Sequence, residues 1–317
     1  MIIVTGGAGF IGSNIIEALN KRGESNILAV DNLTNGRKMH NLSDLNILDY
    51  MDKEDFIVNI KSGYDFGNIS AVFHEGACSS TAEWDGRFIM RNNFEYSKEL
   101  LKWCQNVGAQ YIYASSASVY GTGKNGFVED RACELPINMY AYSKFQFDQY
   151  VRSIIKKSRY QIVGFRYFNV YGSRESHKGT MSSVIYHFNN QITTNGKAFL
   201  FEGTAGYGNG GQKRDFVYVE DCANVNLWFM DNPRMSGIFN LGTGEARSFN
   251  DVANAVIKYH GKGKTEYIPF PEYLKGAYQS FTEANISELR NAGYDAPFHS
   301  LEEGVKKYLD MLNLDHP

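Results

Sequence analysis

Three glycines, Gly6, Gly9 and Gly12, stand where a short apolar run, Ile2 to Thr5, gives way to an amphipathic stretch, Gly12 to Lys21. In Thr5-Gly6-Gly7-Ala8-Gly9-Phe10-Ile11-Gly12 the GxxGxxG spacing offers a tight turn, bare backbone and a helix N-terminus in succession, the combination that a pyrophosphate group needs. A glycine triplet alone also fits an ordinary turn and helix cap. Context argues against that plainer reading, because a strand precedes the glycines and Asp31 ends the next apolar run about 20 residues on, where a carboxylate can hold a ribose diol. The N-terminal part of the chain is therefore expected to bind a dinucleotide.

The first 170 residues or so keep to one plan. Strand-length apolar runs (Ile2 to Thr5, Asn26 to Asp31, Ala71 to Glu75, Gln110 to Ser115 and Gln161 to Tyr167) alternate with helical stretches at Gly12 to Lys21, Asn92 to Asn106 and Tyr140 to Lys157. Crossover-length helices between strands imply a parallel sheet. The expected fold class is α/β, a Rossmann-type doubly wound parallel sheet with a smaller, discontinuous substrate-binding domain. After Tyr171 the pattern loosens, and Gly203 to Gln212, with glycines at 203, 206, 208, 210 and 211, reads as a mobile surface loop. Regularity returns in Asp215 to Asp231, a short strand and helix, and in Gly237 to Leu241, a strand ending at Gly242 and Gly244. That stretch is expected to rejoin the first sheet. The domains then comprise 1–169 with 215–244 for the dinucleotide, and 170–214 with 245–317 for the substrate.

Length and composition narrow the function classes. A chain of 317 residues is about twice the usual single-domain length, which suits two lobes around one cleft. A net charge of -3 and the absence of a Lys/Arg stripe argue against nucleic acid. The run Met1 to Val4 ahead of the glycine motif is too short for a signal-peptide core or a membrane span, so a cytoplasmic chain without a membrane partner is expected. Cys78, Cys104, Cys133 and Cys222 form no CxxC pair, and they read as reduced thiols holding neither a metal nor a disulfide framework.

Two further sets of residues bear on chemistry. Tyr140-Ala-Tyr-Ser-Lys144 puts a phenol and an ammonium at i and i+4, on one helical face, where the cation can stabilise a tyrosinate. A phenol with a pKa of ~10 is a poor base at neutral pH without such help. Upstream, Ser115 and Ser116 fall at the C-terminal end of a strand, the edge where doubly wound sheets bind ligands, and a hydroxyl there can hold a substrate oxygen. YxxxK alone arises by chance in many chains; joined to the strand-end serines and the glycine motif it becomes specific. On the cofactor side the signals conflict. Asp31 favours the ribose diol of NAD, whereas Arg37, Lys38 and Lys53 can neutralise the 2′-phosphate of NADP or simply form a solvated face.

With Gly6 to Gly12, Ser115 to Gly121, Tyr140 to Lys144 and Arg166-Tyr-Phe-Asn-Val-Tyr-Gly172, the sequence resembles the extended short-chain dehydrogenases that act on nucleotide sugars. More narrowly it resembles the ADP-L-glycero-D-manno-heptose 6-epimerase family. That likeness rests on His74-Glu-Gly-Ala-Cys-Ser-Ser-Thr-Ala-Glu-Trp-Asp-Gly86, His177-Lys178-Gly179, Leu200-Phe-Glu-Gly203, Lys213-Arg-Asp-Phe-Val-Tyr-Val219 and Ile268-Pro-Phe-Pro271. It spans nearly the whole chain and departs in the glycine-rich stretch before Lys213, which is longer here. The resemblance implies NADP, with NAD as the alternative. It implies cofactor contacts from Phe10, Ile11, Asp31, Asn32, Lys38, Lys53, Glu75, Gly76, Ala77, Cys78, Ser79, Asn92, Lys144 and Val170, beside the glycines Gly6, Gly9 and Gly12. Substrate contacts would come from Asn169, Thr180, His187, Phe201, Glu202, Gly203, Thr204, Arg214 and Tyr278, with Thr180 standing where the family often has serine.

The implied reaction is epimerisation at C6 of ADP-D-glycero-D-manno-heptose through a transient 6-keto intermediate, supplying lipopolysaccharide core heptose, in a homo-oligomer. Tyr140 and Lys178 would be its acid/base pair, Ser116 would orient the oxygen, and Lys144 would support Tyr140. By itself Lys178 reads as a surface lysine, His177 as a solvent-exposed loop residue, His74 as a satisfied core histidine and Tyr142 as packing; Trp84 either caps the pocket or packs. A sugar-nucleotide 4,6-dehydratase is disfavoured, because Ala117 and Ser118 stand where that reaction needs an acidic pair. A UDP-hexose 4-epimerase and a non-catalytic NADP-sensing module are the other readings.

Overall fold

The structure, a computed structural model, describes residues 1–272 and 279–314. Its strands are β1 (Ile2–Thr5), β2 (Ile27–Asp31), β3 (Asp49–Asp52), β4 (Ala71–His74), β5 (Gln110–Ser116), β6 (Ile162–Tyr167), β7 (Asn169–Tyr171), β8 (Lys197–Phe201), β9 (Lys213–Tyr218), β10 (Gly237–Leu241), β11 (Ala246–Ser248) and β12 (Lys264–Ile268). Seven of them form one sheet in the order β10-β6-β5-β4-β1-β2-β3, with every pair parallel. The order reverses direction at β1, so the crevice beside the β1 and β4 ends is where a doubly wound sheet takes its ligand.

The helices are α1 (Phe10–Lys21), α2 (Lys53–Ser62), α3 (Gly86–Ile89), α4 (Tyr96–Val107), α5 (Met139–Ile154), α6 (Val184–Asn195), α7 (Val219–Asp231), α8 (Phe249–His260), α9 (Ser287–Asn291) and α10 (Leu301–Leu314). Period-2 alternation sends successive strand residues to opposite faces. Ile2 and Val4 of β1 join Ile15, Ile16 and Leu19 of α1 and Val225, Leu227 and Phe229 of α7 in one core. Ile3 faces the other way, toward Phe56 and Ile60 of α2, Leu100 and Leu101 of α4 and Phe147 and Val151 of α5. A third core unites α6, α8 and α10. No helix among the described residues is long and apolar enough to cross a membrane.

The returning stretch 215–244 behaves differently in its two halves. β10 takes the sheet edge beside β6, as expected, but β9 pairs with β7 and β11 in a separate three-stranded sheet. The glycine-rich segment 203–212 is a set of hydrogen-bonded turns: Gly203 N donates to Asn209 Oδ1 (2.9 Å), Gly211 N to Gly208 O (2.9 Å), and Asn250 Nδ2 to Asn209 O (2.8 Å).

Candidate active site

The glycine turn at the end of β1 leaves no room for side chains. Gly6 has φ +67°, and a Cβ there would lie 2.7 Å from Gly76 N; a Cβ at Gly12 would lie 2.2 Å from Gly6 O. The bare backbone opens onto a cleft of about 520 Å³ above the sheet's C-terminal edge. Gly6, Gly9, Phe10, Ile11, Gly12, Asp31, Lys38, Glu75, Gly76, Ala77 and Ser79 line it, together with Ser116, Tyr140, Lys144, Asn169, Val170 and Lys178. An adjoining pocket of about 290 Å³ shares Asp31 and Lys38 and adds Asn32, Lys53, Cys78 and Asn92.

Where the two meet, the Asp31 carboxylate accepts from Ala8 N (2.9 Å), Asn32 N (2.7 Å) and Lys38 Nζ (2.9 Å). Arg37 is exposed and belongs to a solvated face. Lys53 Nζ donates to Asn92 Oδ1 at 2.6 Å. Asn92 sits in a π-helical turn, Met90–Glu95, that joins α3 to α4. Such a wide turn is frequent at functional sites. The adjacent Asn93 brackets the Cys78 backbone, accepting from Cys78 N (2.8 Å) and donating to Cys78 O (2.9 Å). This buried asparagine went unforeseen in the sequence, since nothing in its spacing marks it.

The alternation of β5 sorts its two terminal serines. Ser115 points inward and donates to Asp148 Oδ2 at 2.9 Å. Ser116 faces the cleft and accepts from Ser118 N and Ser118 Oγ, which fixes its hydroxyl at the start of a 3-10 turn. Asn138 caps α5 through Ala141 N, setting the first turn that carries Tyr140. Burial pushes the Tyr140 phenol up, partly opposed by the facing Ser116 hydroxyl. One helical turn on, Lys144 Nζ donates to Ala114 O at 2.6 Å, and burial brings its pKa down to about 8 against the pull of Glu75 and Asp148.

Glu75 is raised to about 7 by burial; Tyr167 OH donates to its Oε1 (3.2 Å), while its buried Oε2 has no hydrogen-bond partner. The Tyr167 hydroxyl in turn accepts from Asn226 Nδ2 at 2.8 Å. His74 is satisfied in the core. Ser97 Oγ gives its proton to Asn93 O, so His74 Nε2 donates to Ser97 Oγ (2.8 Å) and Nδ1 accepts from Thr5 Oγ1 (2.6 Å); burial lowers its pKa to about 3.

Lys178 enters the cleft from the turn Ser176–Met181, with Nζ 5.0 Å from the centre of the Phe10 ring. Burial lowers its pKa, against the attraction of Glu175. Two expectations need correction here. His177 is half-buried rather than solvated, because its Nδ1 meets Asn41 Nδ2 at 3.1 Å in a junction between loops. Tyr142 packs only in part: its ring lies 6.2 Å from that of Phe145, but the residue is 42% exposed, since a position two past Tyr140 turns off the inward face. Trp84 is 68% exposed and lines neither cavity.

The substrate set is gathered less tightly. Asn169 lines the cleft, whereas Thr180, His187, Phe201, Glu202, Gly203, Thr204 and Arg214 are not among its lining residues, and Tyr278 lies outside the described residues. His187 Nε2 meets Thr180 O at 3.3 Å. The buried Arg214 guanidinium lies 5.7 Å from the ring of Phe249, a cleft residue. Among the described residues no group of three or more His, Cys, Asp or Glu is placed to hold a metal ion.

The chain is similar to proteins of one enzyme family. The profile of the NAD dependent epimerase/dehydratase family matches residues 2–242. The crystal structure of Helicobacter pylori ADP-L-glycero-D-manno-heptose-6-epimerase is 30% identical, with 98% of this chain and 96% of that chain covered and a TM-score of 0.85. UDP-glucose 4-epimerase from Thermotoga maritima, solved with UDP-glucose, is 27% identical over 100% of this chain and 99% of that one, at a TM-score of 0.83. The Thermus thermophilus UDP-glucose 4-epimerase complex with NAD is 26% identical over 98% of each chain, at 0.80.

Proposed function

Because the chain belongs to the NAD dependent epimerase/dehydratase family, we propose that it epimerises C6 of ADP-D-glycero-D-manno-heptose, using NADP that is regenerated in each cycle. The observation that carries this reading is that Tyr140, on α5, and Lys178, on a turn beyond β7, open into one cleft beside Ser116. The likeness to the Helicobacter enzyme supports the heptose substrate, which would feed lipopolysaccharide core assembly.

The cradle fits a dinucleotide, since the backbone at Gly6 and Gly12 closes on space that any Cβ would fill. Held there by the Gly6 to Gly12 turn, a nicotinamide cofactor would supply reversible hydride transfer at the substrate carbinol carbon. The chain's own residues do the rest. One of Tyr140 and Lys178 takes the C6 hydroxyl proton as the ketone forms, and the other delivers a proton to the oxygen after the ketone has presented its opposite face. Ser116 holds that oxygen. The lowered pKa of Lys178 leaves more of the amine neutral, as a base must be. In this reading residues 170–214 and 245–317 form the substrate side, and Arg214 offers a planar fork to the diphosphate.

NADP is favoured because Lys38 cancels the Asp31 charge that would repel a 2′-phosphate. A UDP-sugar 4-epimerase using NAD is the second reading, favoured by the Thermotoga and Thermus likenesses. Incubating the protein with ADP-D-glycero-D-manno-heptose and, separately, with UDP-glucose, and following each sugar by proton NMR, tests the two. Appearance of the L-glycero epimer alone supports the first reading; appearance of UDP-galactose alone replaces it with the second.

A further inference from the structure

The turn that carries Lys178 is fastened to the loop that follows β2 and to the glycine turn after β1. Its anchor is Asn41, 4% exposed, at the end of the 3-10 turn Gly36–Asn41. From one amide nitrogen Asn41 reaches Ala8 O in the glycine turn (3.0 Å), Arg174 O (3.0 Å) and His177 Nδ1 (3.1 Å). Arg174 answers in the opposite direction: NH1 donates to Asn41 O at 3.0 Å, its guanidinium grips Asp44 at 2.8 and 2.6 Å, and Nε donates to Glu17 of α1 at 3.1 Å. Asn35 Nδ2 reaches His177 O at 3.4 Å.

This fastening works against a local preference. Arg174 has φ +69°, a region that side-chain-bearing residues occupy only where their surroundings enforce it. The contacts from Asn41, Asp44 and Glu17 are that enforcement. Lys38, the residue set to meet a 2′-phosphate, lies three positions before Asn41 in the same tight turn. A ligand held by Lys38 thus bears on the turn that ends in Asn41, and Asn41 bonds Arg174 and His177, the latter immediately before Lys178.

We propose that Asn41 is a positioning residue, which locks the Lys178 turn in place when the cofactor's 2′-phosphate is held by Lys38. The proposal rests on the reading of Lys178 as an acid/base group. It accounts for a buried polar residue that does not itself line the cleft, yet bonds the glycine turn and the loop of His177, which does.

The test reads Lys178 directly. Trinitrobenzenesulfonate labelling of Lys178, located by peptide mass spectrometry, is compared with saturating 5′-AMP and saturating 2′,5′-ADP, ligands that differ only in the 2′-phosphate. In the unaltered protein 2′,5′-ADP slows labelling more than 5′-AMP does; Asn41→Ala removes that difference while 2′,5′-ADP still binds by calorimetry. A difference that survives in Asn41→Ala, or that is absent in the unaltered protein, overturns the proposal. In single turnovers Asn41→Ala lowers the rate roughly 10- to 100-fold, without raising KM, only in the half-reaction that Lys178→Met also impairs. If Lys178→Met impairs neither half-reaction, the acid/base reading fails and the proposal falls with it. If Lys178→Met impairs one and Asn41→Ala impairs none, the positioning proposal fails alone. Should Asn41→Ala not fold, Asp44→Ala removes the outer support of Arg174 from a side chain that is 60% exposed, and is expected to give the same asymmetry at smaller amplitude.

Discussion

Lys38 Nζ lies 2.9 Å from Asp31 Oδ1, on a carboxylate that also accepts from the Ala8 and Asn32 amides. Three of its roughly four acceptor positions are thus filled from within the chain, which leaves little of Asp31 for a ribose diol. The ammonium cancels its charge and keeps a donor for a phosphate. Lys38→Ala should weaken NADP binding by about 1.5–3 kcal/mol, tenfold or more, because a charge-assisted hydrogen bond is lost and Asp31 is left to repel the phosphate. NAD binding should hardly change. Calorimetric titration with both cofactors checks this, and equal losses for the two would remove Lys38 from phosphate recognition.

Glu75 gives the protein a pH signature. Burial raises its carboxyl from 4.5 to about 7. Between those values the native state holds a proton that the unfolded chain has released, so stability is complete below pH 4.5 and declines as pH rises through about 7. Glu75→Gln removes this titration with little change in shape. The difference in unfolding free energy between variant and parent, from urea melts of the ligand-free proteins, should shift in favour of the variant across that window. A difference that stays flat with pH would mean that Glu75 titrates normally.

Beneath Ser115, Arg166 is 0% exposed and binds Asp148 (2.9 Å), Glu134 and the Tyr120 hydroxyl (2.9 Å). Asp148 holds Ser115 as well, and Arg152 completes the charge balance at Glu134. Arg166→Leu leaves the buried Asp148 carboxylate without a cation and Glu134 with Arg152 alone, and should cost about 3–5 kcal/mol. Denaturant melts near neutral pH check it; a loss near 1 kcal/mol, the scale of an exposed pair, would show that the cluster is hydrated.

The cofactor half of the fold was legible because its signals are local. Gly6, Gly9 and Gly12 need close backbone approach, Asp31 ends a buried strand, and strand-length apolar runs mark β1, β2, β4, β5 and β6 within a residue or so. β3 was missed because Asp-Tyr-Met-Asp, a half-exposed sheet edge, carries no apolar run. β9 lies outside the main sheet that its sequence suggests, since an apolar pattern records burial and not partners. Within the site, Tyr140 and Lys144 were readable from helical spacing. Asn41, Asn93 and His177 were not, because each owes its place to a contact with a residue 15 to 136 positions away.

The account turns on two acid/base groups, Tyr140 and Lys178, acting on opposite faces of one carbinol. Single-turnover reduction of bound NADP, followed by absorbance with each C6 epimer of the ADP-heptose in turn, tests this directly. Tyr140→Phe and Lys178→Met should each stay folded with cofactor bound, and each should lose reduction with one epimer by roughly 10²- to 10⁴-fold, the usual contribution of a positioned acid or base. The two variants should lose different epimers. If Lys178→Met reduces cofactor with both epimers at the parent's rates, one group serves both faces, and the two-base account is wrong.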